Sequence, residues 1–390
     1  MAVITNIDDL KRIYRRRVPK MFYDYAESGS WTEQTFRENS SDFSQIYLRQ
    51  RIAKDMSNRT LATQMVGHDV SMPVALAPVG LTGMQSADGE IKAARAAEKA
   101  GVPFTLSTMS VCSIEEVARK TTRPFWFQVY TLKDDDFMRR LIARAKKAGC
   151  SALVITVDLQ VLGQRHKDVR NGLSTPPKLT PKSILDLSTK WRWGLEMLGT
   201  RNRFFGNIVG HADGVSDPGS LASWTAEAFD PALDWTRIRH LMDMWDGGPV
   251  ILKGILDVED AKAAVAVGAD AIVVSNHGGR QLDGALSSIR ALRPIVDAVG
   301  DKIEVHFDGG IRSGQDVLKA MALGAKGTYI GRAWTYGLGA MGQKGVTAAL
   351  EVIRKELDVS MALCGRRDIH EVDRDILLVP EDFEGRWAAN

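Results

Sequence analysis

The segment SNHGGRQLDG, residues 275–284, carries the side chains of this sequence that are best suited to acid–base chemistry. His277 can act as a general base, because an imidazole changes its charge between about pH 5 and 8. Arg280 can clamp a carboxylate with its planar fork of N–H donors, and Arg165 is a second candidate clamp. Asp158 is a candidate partner that would hold the imidazole of His277 and stabilise its protonated form. Together these side chains predict proton transfer on a substrate that carries a carboxylate.

A second group of residues is suited to binding an anion. Gly309, Gly310 and Gly331 allow the backbone to approach a ligand closely, and a helix N-terminus that follows them favours negative charge. Arg312 or Arg332 can add a bidentate contact. We therefore predict a phosphate site here. The alternative is that these glycines only form turns.

Eight short apolar runs alternate with helix-like stretches, and these elements would have to position the residues above. The runs span 74–79, 103–108, 125–130, 152–158, 249–254, 270–276, 303–309 and 327–332. The helix-like stretches span 88–100, 113–120, 135–148, 257–267, 287–299 and 313–323. Strands this apolar, alternating with helices, predict an α/β fold with a parallel sheet. Their number favours a closed (β/α)8 TIM barrel over the alternative, an open doubly wound sheet.

In such a barrel the functional residues lie at the carboxyl ends of the strands. The first strand end, residues 77–80, has small residues that leave room for a ligand beside the backbone. Each of the other seven ends brings hydrogen-bonding or charged side chains, including Ser107, Gln128, Tyr130, Thr156, Asp158, Lys253, Ser275, His277, Asp308 and Arg332. Burying so many polar groups is costly unless they are paired or used, so we predict that they surround the active site.

Two further parts of the chain lie outside this barrel, which we expect at residues 74–365. Residues 1–70 predict an N-terminal helical extension, whose first helix is capped by Asn6 and whose second begins at Pro19. About 90 residues separate the fourth strand from the fifth, far more than one helix and its loops require. We therefore expect a long insert after the fourth strand, at residues 175–230, within one catalytic domain.

The insert contains a basic and aromatic segment at residues 178–205. It has six Lys or Arg residues against two acidic ones, with Trp191, Trp193, Phe204 and Phe205 interleaved. One interpretation is an active-site lid or a contact between subunits. The other is a membrane-surface segment, whose aromatic rings would lie at the headgroup level and whose cations would face anionic lipid.

Composition argues against several other classes of protein. The net charge is only +3, from 51 Lys and Arg against 48 Asp and Glu, which does not favour a nucleic-acid partner. The three cysteines are scattered, which predicts neither a disulfide framework nor a zinc site and fits a reducing cytoplasm. The N-terminal residues do not predict a signal peptide, and no run of 18 apolar residues predicts a membrane-spanning helix. The GxGxxG pattern at 337–342 lacks the acidic residue of a dinucleotide site, and Glu304 with His306 lacks the further ligands of a metal site.

These residues, at these strand ends, resemble the family of FMN-dependent L-2-hydroxy acid dehydrogenases and oxidases. The resemblance extends from PKMFYDYAESG to SMALCG, near residue 365. Within the family the sequence is most similar to the bacterial respiratory L-lactate dehydrogenases, in VALAPVGLTGM, PFTLSTMSVCSIEEVA, WFQVY and VSNHGGRQLDGALSS. The resemblance implies FMN as cofactor and oxidation of an L-2-hydroxy acid, most of all L-lactate to pyruvate.

The resemblance also implies a role for each matching position. His277 would be the base and Asp158 its partner, Tyr25, Arg165 and Arg280 would bind the substrate carboxylate, and Tyr130 would face the substrate hydroxyl. Lys253 would lie near flavin N1. The implied isoalloxazine contacts are Ala77, Pro78, Val79, Gly80, Ser107, Gln128, Thr156 and Ser275. The implied ribityl and phosphate contacts are Asp308, Gly309, Gly310, Arg312, Gly331 and Arg332.

Several alternatives stay open within this resemblance. Gly80 stands where the oxidases of the family often carry alanine, which favours a dehydrogenase over a peroxide-forming oxidase. Met109 and Leu162 are expected to line a side-chain pocket that would also suit a mandelate-type substrate. A non-catalytic flavin-binding protein is the remote alternative. The family further implies a membrane quinone or cytochrome as acceptor, a homotetramer, and a cytoplasmic enzyme peripheral to the inner face of the cell membrane.

Overall fold

The N-terminal extension contains three helices and three short strands. The computed structural model describes residues 3–172, 180–216, 220, 221, 224 and 227–383. The helices are α1 (Ile7–Arg17), α2 (Lys20–Ala26) and α3 (Gln34–Ser41), and the strands are β1 (Tyr47–Leu48), β2 (Thr63–Met65) and β3 (His68–Val70). Asn6 caps α1, as predicted, in a reciprocal capping box with Asp9. Pro19 is the residue before α2 rather than its first residue.

Eight parallel strands form the centre of the fold. They are β4 (Val74–Leu76), β5 (Thr105–Ser107), β6 (Trp126–Tyr130), β7 (Ala152–Thr156), β8 (Val250–Ile255), β9 (Ala271–Val274), β10 (Glu304–Asp308) and β11 (Gly327–Ile330). Their order in the sheet is β4-β11-β10-β9-β8-β7-β6-β5. A parallel bridge between Leu76 and Phe104 joins β4 to the residues just before β5. This bridge brings the two edges of the sheet together, so the prediction of a barrel is confirmed.

Helices surround these strands, because each strand feeds a crossover that packs back on the sheet. They are α4 (Gly89–Ala100), α5 (Ile114–Ala118), α6 (Asp135–Lys147), α7 (His166–Arg170), α8 (Pro181–Thr189), α9 (Trp191–Leu198), α10 (Trp235–Asp243), α11 (Val258–Val267), α12 (Ser288–Val299), α13 (Gly314–Ala322), α14 (Arg332–Met341) and α15 (Gln343–Leu363). A last strand, β12 (Leu377–Leu378), pairs antiparallel with β1. Within the described ranges, no helix combines the length and apolar character needed to cross a bilayer.

The β2–β3 hairpin closes the amino-terminal end of the barrel, which the sequence did not predict. Met65 is fully buried and lies against Gly327, where an added Cβ would approach the Met65 methyl carbon to 2.4 Å. The Glu304 carboxylate accepts a hydrogen bond from the Val66 N–H at 2.8 Å and lies 3.0 Å from Nε2 of buried His306. Glu304 and His306 therefore tie the hairpin to β10, and in the described part of the chain no metal-binding group of His, Cys, Asp or Glu is present.

The glycines of the GxGxxG pattern serve helix packing. Gly337 and Gly339 lie in α14 and Gly342 follows its end; a Cβ on Gly339 would come within 2.1 Å of the Tyr14 ring of α1. A Cβ on Gly337 would come within 2.3 Å of the Gly345 carbonyl oxygen of α15. The absence of side chains here allows three helices to approach closely.

Candidate active site

A cavity of about 1340 Å³ lies at the carboxyl ends of the barrel strands. The predicted site residues that line it are Tyr25, Ala77, Pro78, Val79, Gly80, Tyr130, Thr156, Arg165, Lys253, His277, Arg280, Asp308, Gly309, Gly310, Arg312, Gly331 and Arg332. The other predicted residues, Ser107, Gln128, Asp158 and Ser275, lie behind the lining and contact residues of the site. The parallel strands thus bring together side chains from the whole length of the chain.

His277 and Asp158 form an imidazole–carboxylate pair at the edge of this cavity. Nδ1 of His277 lies 3.0 Å from Oδ1 of Asp158. Burial raises the pKa of Asp158, but the charges of His277 and Lys253 outweigh burial and hold this pKa below its usual value. Gly254 makes room for the carboxylate, since its φ is +113° and an added Cβ would lie 2.6 Å from Cγ of Asp158.

The backbone at His277 is itself unusual, with a φ of +57° in the left-handed region. Few residues other than glycine adopt this conformation, and such strain is typical of functional sites. The N–H of His277 donates to Oγ of Ser275 at 3.1 Å, which helps to hold the turn. The turn after β9 therefore places the imidazole in the cavity wall, at some cost in backbone conformational energy.

Lys253, Ser275 and Asp308 form a connected polar group in the wall of the cavity. Nζ of Lys253 donates to Oγ of Ser275 at 2.9 Å and lies 2.7 Å from the Asp308 carboxylate. Oγ of Ser275 donates to Asp308 at 2.7 Å. All three residues are buried, and the Asp308 carboxylate compensates the ammonium and helps to hold it in a fixed position.

Two guanidinium groups flank the ring of Tyr25. The Cζ atoms of Arg280 and Arg165 lie 4.7 Å and 5.7 Å from its centroid. Burial, together with the nearby charge of Arg165, lowers the pKa of Arg280 to about 10, so Arg280 remains charged at neutral pH. Asp168 pairs with Arg165 at 3.2 Å. With two cations and one such carboxylate around Tyr25, this region favours a further anion.

Glycines and arginines mark the opposite end of the cavity. Gly309 and Gly310 have φ values of +115° and +85°, and an added Cβ on Gly310 would lie 1.8 Å from the Asn39 carbonyl oxygen. Arg332 donates to the backbone carbonyls of Ala26, Gly278 and Ser28 at 2.8, 3.0 and 2.9 Å. It therefore ties the N-terminal extension to the barrel, and it also lines the cavity at this end.

One hydrogen-bond donor behind the residues that line the cavity has no acceptor in the described part of the chain. The amide oxygen of fully buried Gln128 accepts a hydrogen bond from Ser107 at 2.9 Å. Its Nε2 atom has no hydrogen-bond partner among the described residues. Leaving a buried donor unpaired costs about 1–3 kcal/mol, so the donor suits a ligand that carries an acceptor. A buried amide donor, a buried ammonium and a glycine-lined anion site together fit a polar heterocycle linked to a phosphate.

Sequence reasoning missed several residues of the site. Asp168 follows Arg165 by one helical turn, a spacing that signals such a pair. The hydroxyl and the backbone carbonyl of Ser28 both accept hydrogen bonds from Arg280. No local sequence pattern indicates that Ser28 belongs to the site. Phe229, from the end of the insert, packs edge-on against Tyr130 with centroids 5.6 Å apart. Met109 and Leu162, which were expected near the substrate side chain, both line the cavity.

Comparison with known proteins identifies a family, similar sequences and similar structures. The family model described as FMN-dependent dehydrogenase matches residues 14–379. An L-lactate dehydrogenase of Caulobacter vibrioides is 47% identical over 379 residues, which cover 96% of this chain and 98% of the relative. A crystal structure of the monotopic membrane protein (S)-mandelate dehydrogenase superposes with a TM-score of 0.92 at 35% identity, covering 97% of this chain and 100% of that one. Mandelate oxidase with (S)-4-hydroxymandelic acid gives a TM-score of 0.82 at 37% identity, covering 96% and 98%.

Proposed function

The chain belongs to the FMN-dependent dehydrogenase family, and we propose that it oxidises an L-2-hydroxy acid, above all L-lactate, to the 2-oxo acid. One observation carries the proposal: the His277–Asp158 pair and the Arg280–Arg165 pair meet at one cavity. A base beside a carboxylate clamp suits an acid whose α-carbon bears both a hydrogen and a hydroxyl group. The relatives named L-lactate dehydrogenase favour lactate over other acids of this class.

FMN is the cofactor of this family, and when bound it supplies a two-electron acceptor beside the substrate. The residues that would hold its ring are the backbone of 77–80 with Ser107, Gln128, Thr156, Lys253 and Ser275. Lys253 would place positive charge beside the ring, where electrostatic stabilisation is most effective. The ribityl chain and phosphate would lie against Asp308, Gly309, Gly310, Arg312, Gly331 and Arg332.

Arg280, Arg165 and Tyr25 would bind the substrate carboxylate. Two guanidinium groups provide charge-assisted hydrogen bonds, which are about twice as strong as neutral ones. Asp168 orients Arg165, and the backbone carbonyls of Tyr25 and Ser28 orient Arg280. The clamp is therefore held in place before substrate arrives, which lowers the entropic cost of binding.

His277 would take up the proton that leaves the substrate, at its Nε2 atom. Asp158 is ionised because its pKa lies below the usual value, so it accepts a hydrogen bond from Nδ1 of His277, and in the neutral form of the imidazole this leaves the lone pair on Nε2. The same carboxylate then stabilises the imidazolium that forms. Tyr130 keeps its proton, since burial and the nearby Tyr25 raise its pKa. Its hydroxyl can therefore donate to the substrate oxygen.

A larger acid such as L-mandelate is the second candidate. Leu159, Leu162, Met109 and Phe229 all line the cavity, and Phe229 packs against Tyr130, so the site offers apolar surface to a side chain bulkier than the methyl group of lactate. The structural neighbours that are named for mandelate support the same possibility.

The insert supports association with a membrane surface. On α8 and α9, the outward-facing side chains Ile184, Leu185, Trp191, Leu195 and Leu198 are 56–73% exposed. We call these five residues the apolar stripe. Exposed Lys182, Arg192, Arg201 and Arg203 lie on the same segment, whereas Lys178 lies outside the described residues. An apolar face with adjacent cations fits an anionic lipid surface.

Not all of the aromatic residues in the insert take part in this surface. Trp193 is half-buried, donates from Nε1 to the Met84 carbonyl at 2.8 Å and stacks near Phe22. Phe205 is also half-buried against the core. Trp191 and Phe204 remain exposed. The proposed membrane contact thus rests on fewer aromatic rings than the sequence pattern indicated, and electrons would pass there to a quinone or cytochrome.

An anaerobic absorbance titration of the flavoprotein tests the proposed reaction. L-lactate, D-lactate, glycolate and L-mandelate are added in turn, and air is admitted afterwards. We expect L-lactate to bleach the flavin band and D-lactate to leave it unchanged, with slow recovery in air. Fast recovery in air would identify an oxidase instead. A flavin band that no acid bleaches would refute the reaction assigned to His277 and its partners.

A further inference from the structure

The loop between β7 and α7, residues 157–165, joins the two chemical parts of the site. It carries Asp158, a residue of the acid–base pair, near its start and Arg165, a residue of the carboxylate clamp, at its end. No residue of this loop lies in a helix or strand, so the regular hydrogen bonds of an element do not fix its shape. We infer that Gln281 fixes this loop and is a positioning residue for both parts of the site. The inference rests on the proposed function and adds a residue to it.

The side-chain amide of Gln281 forms three hydrogen bonds with the backbone of the β7–α7 loop. Its Nε2 atom donates to the carbonyl oxygens of Asp158 and Val161, both at 2.8 Å. Its Oε1 atom accepts from the Gly163 N–H at 3.2 Å. A carboxamide has two N–H donors and one carbonyl oxygen, so both donors and the oxygen are used on this one loop. The side chain therefore spans the loop from Asp158 to Gly163.

The loop also contacts the backbone beside Gln281, at Gly163. An added Cβ on Gly163 would lie 2.6 Å from the Arg280 carbonyl oxygen and 2.9 Å from the Cα atom of Gln281. It would also lie 2.7 Å from Oγ of Ser30, a residue of the N-terminal extension whose N–H donates to the Gly279 carbonyl at 2.9 Å. Because only a hydrogen atom fits at Gly163, the loop lies directly on the turn that follows β9.

This arrangement gives the two functional pairs of the site a common support. His277 and Arg280 lie on the turn after β9, whereas their partners Asp158 and Arg165 lie on the β7–α7 loop. Each pair therefore has one member on either side of the contact that Gln281 makes. If the loop moved away from the turn, the 3.0 Å contact between His277 and Asp158 would lengthen and Arg165 would move from its place in the clamp.

Gln281 acts through these residues rather than on the substrate, since it is absent from the described residues that line the cavity. A second glutamine of the same loop, Gln160, offers a comparison. Its Nε2 atom donates to the Leu233 carbonyl at 2.6 Å, so it ties the loop to the residues before α10 and not to the turn. Both glutamines are half-buried. Gln160 is therefore a matched control for Gln281.

Replacing each glutamine with methionine tests the inference, because methionine has a similar length and cannot replace the amide hydrogen bonds. Anaerobic stopped-flow absorbance of the flavoproteins measures flavin reduction by L-lactate. A misplacement of about 1 Å can slow a reaction about a hundredfold, and we expect Gln281→Met to slow flavin reduction at saturating L-lactate by about that factor. The half-saturating L-lactate concentration should rise about tenfold, since Arg165 is displaced as well. Gln160→Met should match the wild type in both quantities, and both variants should retain FMN.

The same substitution in the Asp158→Asn background separates positioning from a general loss of structure. Effects that pass through one contact are not additive, so adding Gln281→Met should slow flavin reduction by no more than about a further twofold there. The half-saturating concentration should still rise, because Arg165 is unchanged in that background. Wild-type flavin reduction and half-saturation in Gln281→Met would overturn the inference, and so would a full hundredfold further slowing in the double variant.

Gly163→Ala separates the loop from the turn without changing Gln281, and it serves as the test if Gln281→Met folds poorly. We expect the same slower flavin reduction and the same rise in the half-saturating concentration. A Gly163→Ala protein that matches the wild type in both would overturn the inference and leave the proposed reaction intact. Failure of L-lactate to bleach the wild-type flavin would instead refute the proposed function.

Discussion

Replacing Asp158 with asparagine isolates the contribution of its charge to the reaction. Asp158→Asn preserves the size of the side chain but removes the negative charge that lies 3.0 Å from Nδ1 of His277. The amide can also donate a hydrogen bond to Nδ1, which would leave the ring proton on Nε2 and abolish the lone pair that accepts the substrate proton. We therefore expect slow reduction of the flavin with normal retention of FMN.

The size of this effect follows from the geometry. Two unit charges about 4 Å apart interact by about 4 kcal/mol at an effective dielectric constant of about 20, the value suited to protein sites. Since about 1.36 kcal/mol corresponds to a tenfold change in rate, loss of the charge should slow flavin reduction by about a thousandfold. The Asp158 side chain is only 13% exposed, so solvent screens this interaction weakly.

Anaerobic stopped-flow absorbance with L-lactate measures the rate directly. Glu304→Gln is the matched control, because Glu304 also faces a histidine at 3.0 Å, but at the amino-terminal end of the barrel. We expect this control to lower stability and to leave flavin reduction unchanged. If Asp158→Asn reduces its flavin as fast as the wild type, the role assigned to the His277–Asp158 pair is wrong.

Three other predictions concern separate parts of the molecule. Arg280→Lys removes the planar guanidinium beside Tyr25, so the L-lactate concentration that half-saturates flavin bleaching should rise about 10–100-fold. An unchanged concentration would show that Arg280 does not bind the substrate carboxylate. Hydrogen bonds from Arg144 lower the pKa of Glu115 from 4.5 to about 2, so this pair stabilises the fold above about pH 4.5 and loses that effect as the pH falls towards 2. Thermal unfolding should therefore show Glu115→Gln to be less stable by about 1 kcal/mol or less at pH 7, with the difference vanishing in acid; a constant difference would refute the reasoning. In co-sedimentation, the double variant Trp191→Ser, Leu195→Ser should bind anionic vesicles at least about tenfold more weakly than the wild type. Val359→Ser, which changes an exposed residue of α15, should bind like the wild type. If the double variant also binds like the wild type, the apolar stripe does not contact the membrane.

The sequence predicted regular elements well where the signal was local. All eight barrel strands fall inside or within one residue of the predicted apolar runs, as β6 (Trp126–Tyr130) and β9 (Ala271–Val274) illustrate. A buried strand has to be apolar on both faces, so its composition alone reveals it. The β2–β3 hairpin was missed because its strands are three residues long and mix polar with apolar side chains.

Within the candidate site, residue types were predictable but many contacts were not. A glycine-rich turn with a histidine and an arginine indicates acid–base and anion chemistry wherever it occurs at a strand end. That Arg332 would hold the carbonyls of Ala26 and Ser28 could not be read from either segment, because they lie 306 and 304 residues apart. The burial of the Trp193 side chain and the exposure of the Trp191 side chain likewise depend on which face of α9 packs against the rest of the protein.

The sequence by itself determined the order of the eight barrel strands and of six helices between them, the chemical groups at the strand ends and the family they resemble, since these depend on composition and short spacing. Only the tertiary structure decided which of these groups meet. It placed His277 against Asp158 across 119 residues, made room for that carboxylate at Gly254, and turned Trp193 of α9 inward to donate to the Met84 carbonyl. Such contacts depend on the packing of every element at once, because each side chain can approach only as closely as its surroundings allow.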